Sequence, residues 1–266
     1  GGSDRARGAG RQGRAGWVVA LQAKVGPNPV EGALDGTSLH GILVCGDASA
    51  AKRTGRVMVP RWDGVNGAAV AKAEKIAGAD YVILLTDMYG ANVRPVQGNA
   101  AQAQAAVKSL YGDRALMRKR VGAALAQLKA QAGSAPLDPS KLAAIGFCFG
   151  GSAVLDLARS GADVAAVVSF HGGLGTDDPA LAKHIEARVL TINGADDKGT
   201  MPDAGKFMDE MRMSPAAWEF VVIGHAVHCF TEVDEHSPGC RYDAAAAARS
   251  YRLMHDWLDH AFADTP

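Results

Sequence analysis

The sequence predicts an α/β protein with a mostly parallel central sheet, helices on both faces of that sheet and an N-terminal β-hairpin. From residue 30 onward, short apolar runs alternate with longer segments of helical periodicity, an order typical of parallel sheets covered on both faces. The run at residues 81–85 is continuously apolar, as central parallel strands are. The Asp-Gly pair at residues 35–36 indicates a hairpin turn between the first two strands.

The predicted elements follow one another with short connections. Strands are expected at residues 31–34, 37–44, 56–60, 81–85, 142–147, 164–170, 188–193 and 218–223. Helices are expected at residues 67–77, 99–110, 114–132, 149–159, 202–213 and 242–262. Since no segment between them resembles a linker, we expect a single domain over residues 17–266.

The N-terminal segment has a different composition. Residues 1–16 are rich in Gly and Arg and nearly free of apolar side chains. We therefore expect either a disordered leader or a segment added for expression of the protein. Its arginines lack the interleaved aromatic residues of an RNA-binding arm. Residues 17–21 could be an edge strand or part of the same leader.

Charge and hydropathy exclude several classes of partner. The 28 Lys and Arg residues balance 28 Asp and Glu residues, which argues against nucleic acid or an anionic membrane as the main partner. No apolar run approaches the ~20 residues that a membrane helix needs. We therefore expect a small-molecule substrate, and a protein that is a monomer or a homodimer.

The chain has four cysteines, which are Cys45, Cys148, Cys229 and Cys240. None of them forms a Cys-x-x-Cys pair, which disfavours a zinc site or a redox pair. So few cysteines in this length also argue against a disulfide scaffold and favour a reducing cytoplasm. We expect no metal and no other cofactor.

One short motif organises the chemistry of the chain. Gly-Phe-Cys-Phe-Gly-Gly at residues 146–151 joins a predicted strand to a predicted helix, and its spacing resembles the nucleophile elbow of α/β-hydrolases. Cys148 takes the place of the commoner serine, at a helix N-terminus that favours thiolate. The alternative is an inert buried cysteine in a glycine-rich turn.

Two more residues follow predicted strands and could complete a catalytic triad. His228 is the expected general base, with His225 as a rival three residues away. Asp197 is expected to orient the histidine, although the adjacent Asp196 could do so instead, and both could be ordinary turn residues. The order nucleophile, acid, histidine is that of α/β-hydrolases.

An oxyanion hole is expected beside the nucleophile. One donor should be the backbone N–H of Phe149, directly after Cys148. The second should come from the loop after Pro60, with Trp62 the preferred residue.

These motifs together resemble the dienelactone hydrolase family, in the family's order over roughly residues 30–262. The matching segments are residues 60–66, 86–90, 146–151, 169–173, 194–197 and 226–231. The resemblance implies an α/β-hydrolase fold and a Cys-His-Asp triad. It favours Asp197 as the acid, His228 over His225, and Trp62 with Phe149 as the oxyanion pair.

The sequence departs from the family at charged positions. Where members commonly carry a glutamate that helps form the thiolate, this chain has Arg61, and Asp63 replaces an aromatic residue. The positions of two arginines that bind a substrate carboxylate hold Ala91 and Glu232, although Arg94 could reach the site. These changes favour neutral esters over a dienelactone, whose carboxylate would meet a like charge.

Four residues are expected in the substrate pocket, namely Arg61, Asp63, Tyr89 and His171. Loop arginines are usually solvated or paired, here with a neighbour such as Asp63. Otherwise Arg61 could stabilise the thiolate or polarise a substrate oxygen. The resemblance places His171 at the pocket floor, without a catalytic role.

The leading hypothesis is a cofactor-free hydrolase of neutral aryl esters or lactones that acts through a thioester on Cys148. The alternative is promiscuous phosphotriester hydrolysis by the same cysteine, as in an arylesterase and phosphotriesterase branch of the family. Dienelactone hydrolysis proper, and a non-catalytic ligand-binding role for the fold, are weaker hypotheses.

Overall fold

The structure is a computed structural model, and it describes residues 27–46 and 51–265. The expectations for residues 1–16 and 17–21 lie outside the described residues. No helix within them is long and apolar enough to cross a bilayer.

Eight strands of the described residues form the central sheet. They are β1 (Asn28–Leu34), β2 (Thr37–Cys45), β3 (Arg53–Val59), β4 (Tyr81–Leu85), β5 (Leu137–Phe147), β6 (Ala166–Phe170), β7 (Arg188–Gly194) and β8 (Trp218–Ile223). Their spatial order is β1-β2-β4-β3-β5-β6-β7-β8. β2 runs antiparallel to β1 and β4, and the pairs from β4 to β8 are parallel. The predicted mostly parallel sheet with an N-terminal hairpin is confirmed.

In the part of the chain that the structure describes, six α-helices connect or flank these strands. They are α1 (Gly67–Ala77), α2 (Ala100–Tyr111), α3 (Arg114–Lys129), α4 (Phe149–Arg159), α5 (Ala204–Met211) and α6 (Ala244–Ala263). Short 3₁₀ segments span Ala130–Gly133, Pro179–His184 and Met201–Asp203, and a small ribbon pairs β9 (His236–Ser237) with β10 (Cys240–Arg241).

The sheet separates two apolar cores because successive side chains of a strand point to opposite faces. In β3, Val57 and Val59 face the core formed with α2 to α5, whereas Met58 faces the core formed with α1 and α6. All three side chains are fully buried. Helices therefore cover both faces of the sheet, as the alternation of apolar runs predicted.

Some element boundaries differ from the prediction. β5 begins at Leu137 rather than residue 142, with an irregular register against β3 between Arg53 and Gly55. α6 begins at Ala244 rather than residue 242, because the Asp243 side chain accepts the N–H of Ala246 and caps the helix there.

Cys229 and Cys240 form a disulfide, with their Cα atoms 4.9 Å apart, which no motif in the sequence predicted. Their separation in sequence is 11 residues, outside any Cys-x-x-Cys pattern. The two cysteines meet because Cys240 lies beside His228, the residue before Cys229. The carbonyl of His228 accepts the N–H of Arg241 and holds the two segments together. Since disulfides persist in oxidising compartments, the cysteine count no longer supports the cytoplasmic prediction.

Candidate active site

Cys148 occupies the sharp turn between β5 and α4. Its backbone has φ 56° and ψ −118°, a conformation that costs a non-glycine residue about 1–3 kcal/mol. A methyl group on Gly146 would lie 1.9 Å from the Gly150 carbonyl oxygen, and one on Gly150 would lie 2.0 Å from the Val59 carbonyl oxygen. The two glycines therefore permit the close approach that exposes the sulfur at the end of the sheet.

The structure brings Cys148, His228 and Asp197 into one hydrogen-bonded chain. The Sγ atom of Cys148 lies 3.0 Å from Nε2 of His228. Nδ1 of His228 lies 2.8 Å from Oδ2 of Asp197. The other carboxylate oxygen accepts the N–H groups of Gly199 and Thr200 at 3.0 and 3.2 Å. Asp197 is thus held in place on both oxygens.

The two rival residues lie outside this chain of hydrogen bonds. His225 and Asp196 are exposed. The N–H of Asp196 donates to the carbonyl of Ala226 at 3.0 Å and so ties the loop after β7 to the loop after β8. The position of Asp196 suits a loop contact rather than orientation of an imidazole.

The charges around the imidazole favour its protonated form. Burial by itself would lower the pKa of His228, but a thiolate at Cys148 and the carboxylate of Asp197 raise that pKa to about 10. Burial would raise the pKa of Asp197, yet the hydrogen bonds from His228, Thr200 and Gly199 bring it below its ordinary value. The arrangement can therefore hold an imidazolium between two anions.

The two expected oxyanion donors belong to different segments of the chain. Phe149 is the first residue of α4, so its N–H has no partner within the helix. Trp62 lies in the loop after β3, with its side chain partly buried against the core. The carbonyl of Trp62 accepts a hydrogen bond from the hydroxyl of Tyr89.

A cavity of about 1000 Å³ opens in front of the sulfur. Cys148, Phe149, Asp197 and His228 line it. Sequence reasoning missed several other lining residues, which include Tyr111, Lys198 and Arg241. They belong to the end of α2, to the loop after β7 and to β10, and no local motif marks them.

The four residues expected in the substrate pocket lie elsewhere. Arg61 and Asp63 line a neighbouring cavity of about 630 Å³, and Tyr89 borders a third of about 570 Å³. His171 is fully buried, with Nε2 2.8 Å from Oγ1 of Thr231. Within the described part of the chain, the residues lining the Cys148 cavity include none of these four.

Ion pairs occupy the charged side chains of the neighbouring cavity. Arg61 contacts Glu235 at 2.6 Å and Asp63 at 3.4 Å. Lys72 contacts Glu232 at 2.6 Å. The paired state considered for Arg61 is thus the one observed, with Glu235 as an additional partner.

Arg94 also has a partner. It contacts Asp87 at 2.9 Å and donates to the carbonyl of His40 at 3.0 Å, and it lines the third cavity rather than the one in front of Cys148. Within residues 27–46 and 51–265, no three His, Cys, Asp or Glu side chains are grouped so that they could hold a metal ion.

Comparison with known proteins gives consistent relatives. The model of the dienelactone hydrolase family matches residues 40–262. The sequence is 36% identical to that of a dienelactone hydrolase-like promiscuous phosphotriesterase, P91, from metagenomic libraries. The two structures align with a TM-score of 0.81, and the alignment covers 89% of this chain and 98% of that one. A structure named m3DLH is 35% identical, with a TM-score of 0.80 and the same coverage. An uncharacterized protein of Caenorhabditis elegans, K02A2.1, is 34% identical over 154 residues, which are 55% of this chain and 95% of that protein.

Proposed function

Because the chain belongs to the dienelactone hydrolase family of ester-bond hydrolases, we propose that it hydrolyses neutral aryl esters or lactones with Cys148 as the nucleophile. The observation that carries this proposal is the 3.0 Å contact between the Cys148 sulfur and the His228 imidazole. A thiolate paired with an imidazolium is the reactive form of a catalytic cysteine.

In the proposed reaction, the Cys148 thiolate attacks the carbonyl carbon of the ester. The N–H groups of Phe149 and Trp62 stabilise the tetrahedral oxyanion. His228 gives its proton to the leaving alkoxide or phenoxide, which departs as the alcohol and leaves a thioester. Neutral His228 then takes a proton from water, whose oxygen attacks the thioester, and the acid and the Cys148 thiolate are regenerated.

The charges near the site support a neutral substrate over a dienelactone. The family positions for carboxylate-binding arginines hold Ala91 and Glu232. Arg61, Lys72 and Arg94 each already have a carboxylate partner. A substrate carboxylate near Glu232 would have to compete with an existing ion pair.

A second candidate activity is hydrolysis of neutral phosphotriesters by the same cysteine. It is favoured by the 36% identity to a protein described as a promiscuous phosphotriesterase. The thiolate would attack phosphorus, expel an aryloxide that His228 protonates, and leave a phosphoryl group on Cys148. Water would then release the phosphodiester.

Parallel kinetics with Cys148→Ala test the proposal. We expect a burst of aryloxide from activated aryl esters with the wild type, and no burst with Cys148→Ala. Cys45→Ala is the matched control, because Cys45 is a buried free cysteine outside the site. Wild-type hydrolysis by Cys148→Ala would refute the nucleophile.

Intact mass spectrometry distinguishes the two activities. An acyl adduct after rapid quenching supports ester hydrolysis, and a phosphoryl adduct after incubation with a neutral aryl phosphotriester supports the second activity. If iodoacetamide at neutral pH leaves Cys148 unmodified, the result favours a ligand-binding role for the fold over catalysis.

A further inference from the structure

Tyr89 contacts both residues that the proposed function assigns to the oxyanion hole. Its hydroxyl donates to the carbonyl oxygen of Trp62 at 2.5 Å. Its ring stacks on the ring of Phe149, with centroids 5.7 Å apart and planes 25° apart. The residue is only 6% exposed. One donor residue lies in the loop after β3 and the other begins α4, and Tyr89 connects them.

Tyr89 is itself rigidly held. Oδ1 of Asp87 accepts the N–H groups of Tyr89 and Gly90, each at 3.0 Å. The guanidinium of Arg120 donates to the carbonyls of Met88 and Tyr89 at 2.7 and 3.0 Å. Both the N–H groups and the carbonyl groups of the backbone around Tyr89 therefore have hydrogen-bond partners.

The ring also packs against the loop that contains Trp62. A methyl group on Gly64 would lie 3.3 Å from the Tyr89 ring. The turn closes through the N–H of Gly64, which donates to the carbonyl of Arg61 at 3.0 Å. The Tyr89 hydroxyl, which donates to the Trp62 carbonyl, is therefore well placed to set the orientation of that peptide.

We infer that Tyr89 is a positioning residue that fixes the two oxyanion donors relative to each other, an inference that rests on the proposed function. The N–H and the carbonyl of Trp62 are attached to the same Cα, so anchoring the carbonyl restrains the direction of the N–H. Oxyanion stabilisation depends on donors aligned before the reaction. Burial and the negative charge of a Cys148 thiolate raise the pKa of Tyr89, so the hydroxyl keeps its proton and remains a donor.

Tyr89→Phe tests this inference because it removes one hydroxyl and keeps the stacked ring. We expect kcat for an activated aryl ester to fall about tenfold, less than the 10²–10³ seen when an oxyanion donor is removed outright. KM should change little, because Tyr89 does not line the cavity in front of Cys148. Tyr81→Phe is the matched control, since the Tyr81 hydroxyl contacts His255 at 3.3 Å in the core on the α1 and α6 side, and it should keep wild-type kinetics.

Alkylation of Cys148 by iodoacetamide provides a second readout. The thiolate displaces iodide from a saturated carbon and forms no oxyanion, so Tyr89→Phe should be alkylated at the wild-type rate. An unchanged kcat in Tyr89→Phe, with Cys148→Ala inactive, would refute the inference and leave the proposed function standing. Equal losses of hydrolysis and alkylation would also refute it, because they would indicate a disturbed thiolate. Activity in Cys148→Ala would instead overturn the proposed function.

Discussion

The ring of His171 lies edge-on against the ring of His228, with centroids 5.3 Å apart and planes 73° apart. His171 is fully buried, and its φ of 41° lies in the left-handed region, which is uncommon for residues other than glycine. Burial, followed by the positive charges of His228, Lys72 and Arg61, holds the pKa of His171 well below its ordinary value. Two imidazolium ions at this separation would repel one another, so the neutral form of His171 favours a proton on His228, which contacts the carboxylate of Asp197.

The neutral state of His171 predicts a loss of stability in acid. A histidine whose pKa is depressed by folding binds its proton only in the unfolded chain at moderately acid pH. The contribution of His171 to the free energy of unfolding is therefore complete above about pH 6.5. It is lost as the pH falls toward the pKa of His171 in the folded protein. We expect the Tm of the wild type to fall more between pH 7 and pH 5 than that of His171→Asn, by thermal denaturation at matched ionic strength.

Asparagine suits this variant because it tolerates positive φ. His171→Asn should be less stable than the wild type at pH 7, since it leaves a cavity, but its Tm should depend less on acid. Parallel curves for the two proteins would contradict the prediction. The pKa of His228 is raised, so its contribution to the free energy of unfolding is present below about pH 6.5 and is lost as the pH rises toward 10. The pH range in which His228 affects stability therefore does not overlap the acid range of His171.

Asp197→Asn should reduce kcat by about 10²- to 10⁴-fold, because the amide cannot stabilise the imidazolium and favours the wrong tautomer. The variant keeps an oxygen that can accept the N–H groups of Gly199 and Thr200, so its fold should be preserved. The exposed neighbour gives the control: Asp196→Asn should retain most of the activity. Equal activities in the two variants, measured with an aryl ester, would exclude Asp197 as the orienting residue.

Gly146→Ala should lower the free energy of unfolding by about 3 kcal/mol or more. The added methyl group would lie 1.9 Å from the Gly150 carbonyl oxygen, and this overlap can be relieved only by moving β5 or α4. Gly122→Ala in α3 is the control. Its methyl group would meet no atom within 4 Å, so this change should stabilise the helix by about 0.5–1 kcal/mol. Urea denaturation measures both, and a Gly146→Ala protein of wild-type stability would contradict the elbow geometry.

Reduction of the Cys229–Cys240 disulfide should lower the free energy of unfolding by about 3 kcal/mol, the value expected for closing a short loop. In a chain of this size that corresponds to a Tm lower by about 6–12 °C. Activity should also fall, since Cys229 directly follows His228 and Cys240 lies beside it. The double variant Cys229→Ala, Cys240→Ala should melt at the same temperature with and without dithiothreitol, and a wild type insensitive to dithiothreitol would refute the prediction.

The elbow and the strands could be predicted because their determinants are local. Cys148 lies within six consecutive residues whose glycines allow one tight turn, and the run at 81–85 indicates a buried strand by itself. The partners of charged side chains could not be predicted in the same way. Arg61 pairs with Glu235, 174 residues away, and Lys72 pairs with Glu232, 160 residues away. Both partners lie in the same loop, which also carries Asp234, so the sequence alone does not say which carboxylate pairs with which cation.

The amino-acid sequence by itself determined the order of strands and helices and the residues that follow the strands, because hydrophobic period and turn chemistry act over a few neighbouring residues. Only the tertiary structure decided which of these residues meet. It joined Cys229 to Cys240, placed His171 beneath the ring of His228, and set Tyr89 between Trp62 and Phe149 rather than in the Cys148 cavity. Such contacts depend on how distant loops approach one another at the end of the sheet, which no local pattern encodes.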